Sequence, residues 1–180
     1  YWTDDGVHQM RLIPSKKQAV ADNEDALSWN NEIGFLSRDL RASGELRPGE
    51  FLTDPYLKFE ATMVWGEDAN AHLGYAVRVL NGEGSGYMGE LRRPGHVYLY
   101  RIDRGEAVLL HEDRSGGPGR GRTILFSVEN GIVSLTDTRG LGPVEIADNT
   151  YDAFTEVGFG GRVWEEKVVI RNVEVFGRIR

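Results

Sequence analysis

The chain contains no cysteine. Disulfide-stapled scaffolds, thiolate zinc sites and cysteine nucleophiles are therefore excluded, while the compartment is left open. No stretch approaches the roughly 18 apolar residues of a membrane-spanning helix, so no membrane span is expected. A basic surplus is missing as well: 21 Lys and Arg stand against 28 Asp and Glu, a net charge of −7. A general nucleic-acid binder needs a basic face, so no nucleic-acid partner is expected. There is no Gly-X-Y period and no internal repeat, which sets aside collagen, propellers and solenoids. The opening Tyr1-Trp2-Thr3-Asp4-Asp5-Gly6 has no signal-peptide pattern. Read as the start of a mature or trimmed product, it leaves an extracellular or periplasmic location as the expectation.

What is present in excess is glycine. The 23 glycines are about 13% of the chain, against a usual share of roughly 7%. Set among short apolar runs, they imply many turns between many strands. The 180 residues suit one domain spanning 1–180. Residues 1–49 are its less regular part, expected to contribute edge or closing strands.

From Tyr56 onward the pattern is almost entirely β. Leu57, Phe59, Ala61 and Met63 alternate with Lys58, Glu60 and Thr62, the period of a half-buried strand. Similar runs follow at 72–80, 87–92, 96–103 and 106–111, then at 123–129, 132–136, 144–147, 157–160 and 168–175, with a further strand at 7–13. Asn130-Gly131 between two alternating segments is a strong hairpin signal. About ten strands without a long helical period predict an all-β fold, an antiparallel two-sheet β-sandwich of jelly-roll type.

Several segments carry a family resemblance. They are Tyr56-Leu57-Lys58-Phe59-Glu60-Ala61, Gly74-Tyr75-Ala76-Val77-Arg78, Val97-Tyr98-Leu99-Tyr100-Arg101, the hairpin from Phe126 to Asp137, Val157-Gly158-Phe159-Gly160, and the run from Val169 to Val175. Their order over residues 50–178 resembles the concanavalin A-like lectin/glucanase superfamily, within it the laminin-G-like and 3-keto-disaccharide hydrolase-like jelly rolls. The resemblance implies a concave sheet that takes up a glycan or oligosaccharide, no required cofactor, a structural calcium ion near Asp103, Glu112 and Asp113, and a place within a larger carbohydrate-active protein.

The residues themselves suggest how a sugar would be held. Small residues such as Gly74 and Ala76 let a ring approach the backbone, and Arg78 offers a planar fork of donors; the competing reading pairs Arg78 with Glu60 or Glu90 on the sheet. Tyr98 and Tyr100 share the strand face opposite Val97 and Leu99, so they are expected to point outward, where sugar faces stack on aromatic rings. Trp65, at the end of its strand, is a second stacking candidate. The expected function is a carbohydrate-binding module using Arg78, Tyr98, Tyr100, Trp65 and Gly74. The alternative is a glycoside hydrolase or lyase, in which His72, Glu60 and Glu90 would be catalytic. A protein-interaction module without activity is the second alternative. No paired-carboxylate strand of the Glu-X-Asp-X-X-Glu kind is present, and the four histidines show no metal-binding spacing.

Overall fold

The computed structural model describes residues 7–12, 34–64, 74–92, 96–114, 121–138, 141–162 and 167–180. These residues form strands and turns, with no helix among them, in two antiparallel six-stranded sheets. The first sheet runs β1 (Val7–Leu12), β12 (Lys167–Ile179), β3 (Leu52–Val64), β8 (Gly121–Glu129), β9 (Ile132–Asp137) and β10 (Leu141–Ala147). The second runs β2 (Gly34–Asp39), β11 (Glu156–Arg162), β4 (Gly74–Leu80), β5 (Gly86–Arg92), β6 (His96–Asp103) and β7 (Glu106–Asp113). The N-terminal strand thus lies beside the C-terminal one, Met10 opposite Val175.

Alternation along the strands divides each sheet into a core face and an outer face. The first sheet buries Leu57, Phe59, Ile124, Phe126, Val133, Leu135 and Val175; the second buries Val77, Val79, Tyr87, Leu91, Val97, Leu99, Val157 and Phe159. Phe59 and Phe159 meet edge to face at 5.2 Å between ring centroids, joining the two layers. Two strands proved longer than their sequence signal: β3 begins at Leu52 and β12 continues to Ile179. Both extensions run through register shifts, and Asp54 sits at a left-handed φ of 47°. Such bulges break the strict alternation by which a strand is read.

The hairpin expected at Asn130-Gly131 is present, with φ of 52° and 72° at the two turn residues, the signs of a type I′ turn. Arg104-Gly105 makes a second turn of the same kind between β6 and β7. On β5 a glycine serves packing instead. A Cβ on Gly89 would lie 2.9 Å from Phe126 Cδ2 and 3.1 Å from Leu135 Cδ1, so the bare backbone lets the opposite sheet close in.

A polar network ties the second sheet to the loop after β10. Tyr87 donates its hydroxyl hydrogen to Asp148 Oδ1 at 2.6 Å. Arg101 donates to Asp148 Oδ2 at 3.1 Å and to Asp103 Oδ1 at 3.0 Å, and Tyr151 donates to Asp103 at 2.7 Å. Burial and the bond to Asp148 push the Tyr87 phenol up to about 12. The hydrogen bond from Tyr151, followed by Arg101, holds Asp103 below the ordinary carboxylate value. Burial pushes Asp148 up, but the bonds from Tyr87, Thr150 and Arg101 outweigh it and leave it lowered.

Candidate functional site

The outer face of the second sheet carries a cluster that the strand register assembles row by row. Ala76, Glu90, Tyr98 and Glu112 lie in line across β4, β5, β6 and β7. Gly74, Arg92 and His96 form the row on one side; Arg78, Met88, Tyr100 and Leu109 form the row on the other. Tyr98 and Tyr100 therefore do point away from the core, because Val97 and Leu99 are buried between the sheets.

Arg92 is the centre of this cluster. Its Nε donates to Glu90 Oε1 at 2.6 Å and its Nη2 to Glu90 Oε2 at 3.0 Å. Nη2 also donates to the Tyr100 hydroxyl at 3.2 Å. The guanidinium carbon stands 4.3 Å from the centre of the Tyr98 ring, a favourable cation–π contact. Glu90 is only 1% exposed and Arg92 28%, so the carboxylate is the buried floor and the guanidinium the accessible layer. The bond to Glu90 raises Arg92 above its ordinary value, keeping it charged. Tyr98 and Tyr100 stack at 6.3 Å with planes 19° apart, and His96 meets Tyr98 edge-on at 6.4 Å.

Beside this, Arg114 Nε donates to Glu112 Oε1 at 2.5 Å. That bond, with help from the Tyr98 hydroxyl and His96, holds Glu112 below the ordinary carboxylate value. An apolar patch of Ala76, Leu80, Met88 and Ile102, with Tyr100 packed on it, continues the face. Leu109, half exposed on the edge strand beside Tyr100, extends it.

The sequence-predicted residues separate into groups. Tyr98, Tyr100, Glu90 and Gly74 belong to this face. Arg78 is also on it but leans the other way, across Gly158, donating to Ser37 Oγ at 2.9 Å and to Glu156 Oε1 at 3.2 Å. A Cβ on Gly158 would come within 3.1 Å of Arg78 Cγ and Nε, so the glycine makes the channel that this side chain follows. The competing reading paired Arg78 with Glu60 or Glu90; the ion pair it makes here is with Glu156. Glu60 stands on β3 in the other sheet, pointing outward on the opposite surface of the sandwich. The catalytic set that combined Glu60 with Glu90 is therefore not brought together. His72 and Trp65 lie outside the described residues.

Among the described residues no three His, Cys, Asp or Glu side chains gather as a metal site. Asp103 engages Arg101 and Tyr151, and Glu112 engages Arg114. Arg92 and Arg114 were missed by reading the sequence. The signal was there for Arg92: Glu90 and Arg92 are two residues apart on one strand and so share a face, whereas Arg114 lies just past the end of β7.

No protein-family model matches the sequence, nor does any curated protein. Among solved structures the chain is similar to the carbohydrate-binding module CBM66 from Bacillus subtilis, at 16% identity and a TM-score of 0.52, over 81% of this chain and 83% of that one. It is also similar to sheep galectin-11 in complex with glycerol, at 12% identity and a TM-score of 0.54, over 80% and 97% of the two chains. At these identities the likeness is one of fold alone, and it agrees with the two antiparallel sheets described above: the chain is an antiparallel two-sheet β-sandwich.

Proposed function

We propose that this chain is a glycan-binding module whose ligand lies on the outer face of the second sheet, across β5, β6 and β7. The observation that carries the reading is the Arg92 guanidinium, fixed between a buried carboxylate and a tyrosine ring and itself 28% exposed, beside the half-exposed Leu109. A sugar presents hydroxyls around its rim and C–H groups on its face. The rim needs pre-set donors and acceptors, which Arg92, Glu112, Arg114 and the tyrosine hydroxyls supply. The C–H face needs apolar area, which Tyr100 and Leu109 supply. Since both partners are ordered before the ligand arrives, little conformational entropy is lost on binding. The two similar structures of the same fold are a carbohydrate-binding module and a galectin, which supports this reading. Such a module would act in an extracellular or periplasmic setting.

A glycan array followed by calorimetric titration of the strongest hit tests the reading. The wild-type chain should bind, and Arg92→Lys should weaken binding about tenfold or more, because a point charge does not replace a planar fork. A folded wild-type chain that binds nothing across glucans, galactans, mannans and fructans would sink it.

A further inference from the structure

We propose that Glu90 is a positioning residue that occupies the two-pronged edge of Arg92, so that this face takes uncharged polyols and turns away carboxylated or sulfated glycans. The inference rests on the glycan-binding reading and says which class of glycan it concerns.

A guanidinium grips an anion best through two parallel N–H bonds from one edge. In Arg92 the Nε–Nη2 edge is already taken by Glu90, at 2.6 and 3.0 Å. The second Nη2 hydrogen serves Tyr100. Nη1 has no hydrogen bond among the described residues, and it can give single bonds to hydroxyl oxygens. One face of the group is covered by Tyr98. Glu90 cannot itself serve as a ligand contact, since it is 1% exposed. The charge of Arg92 is balanced by a carboxylate held out of water, where screening by solvent is weakest.

The same balance extends along the face. Arg78 stands on Glu156 at 3.2 Å and Arg114 on Glu112 at 2.5 Å. Every arginine side chain described on this surface is thus compensated by its own carboxylate. An anionic ligand would have to displace one of them, whereas a neutral sugar would not.

The test compares neutral oligosaccharides with oligogalacturonate as probes, on the wild-type chain and on Glu90→Gln, by calorimetry and with thermal unfolding as the check on folding. The wild-type chain should bind a neutral probe with an affinity that is flat from low to high salt, and should bind oligogalacturonate about tenfold or more weakly. Glu90→Gln leaves one acceptor oxygen where there were two and leaves the charge of Arg92 unbalanced, so it should gain about tenfold for oligogalacturonate, a gain that damage to the fold cannot produce. Should Glu90→Gln fail to fold, the wild-type arm still decides: binding of oligogalacturonate as tight as of the neutral probe, or a steep salt dependence, overturns the inference. A folded Glu90→Gln that gains nothing for oligogalacturonate overturns it too. If the wild-type chain binds neither probe while Glu90→Gln gains oligogalacturonate, the role of Glu90 stands and the glycan reading falls.

Discussion

Glu90 and Arg92 sit two residues apart on β5 and face outward together, yet the acid is buried and the base accessible. The inequality follows from their neighbours. Glu90 lies in the row between Ala76 and Tyr98, and the Arg92 side chain folds back over it.

This arrangement predicts an asymmetric response to mutation. Arg92→Ala removes the guanidinium and leaves the buried Glu90 carboxylate without its main partner, which should cost about 3 kcal/mol. Replacing both residues by neutral ones of similar volume, Glu90→Gln with Arg92→Met, should recover most of that loss. Chemical denaturation of the two single variants and the double variant measures the coupling. Strictly additive losses would mean that the pair is not a unit.

The network around Asp103 and Asp148 predicts acid sensitivity of definite sign. Both carboxyls titrate below their ordinary value in the folded chain. Their contribution is complete above the unfolded carboxylate value of about 4 and is lost as pH falls through the lowered folded values. The melting temperature should fall in that window, and Asp148→Asn should melt lower at neutral pH with a shallower decline on acidification. A variant curve parallel to wild type would remove Asp148 from the explanation.

Tyr87 predicts the alkaline counterpart. Its phenol, pushed up to about 12, stays protonated when ordinary tyrosines have ionised. The stabilisation is present below the unfolded value near 10 and fades as pH rises through the folded value. Ultraviolet titration of wild type against Tyr87→Phe should show one late-ionising phenol missing in the variant. The variant should also lose about 1–2 kcal/mol, since its hydroxyl bonds Asp148 and the Tyr151 amide.

The sandwich was readable because its strands alternate cleanly over a continuous core. Leu57 and Phe59, Val97 and Leu99, Val133 and Leu135 all took the faces their spacing implied. Strand β2 was not counted. Among the described residues it pairs on one side, against β11, and its polar Ser37, Arg38 and Asp39 give no apolar period to read. Glu90 was singled out, but for catalysis with Glu60, because sequence distance does not reveal that β3 and β5 lie in different sheets. Gly89 carried no signal either, since its function depends on Phe126 and Leu135 arriving from the other layer.

The location of the ligand is tested most directly by mapping chemical-shift changes in a nuclear magnetic resonance titration with the glycan selected on the array. Changes should concentrate on Arg92, Tyr98, Tyr100, Leu109 and Glu112, on the outer face of the second sheet. Changes centred instead on Tyr56 and Phe176, which meet edge to face at 5.8 Å on the outer face of the first sheet, would contradict it.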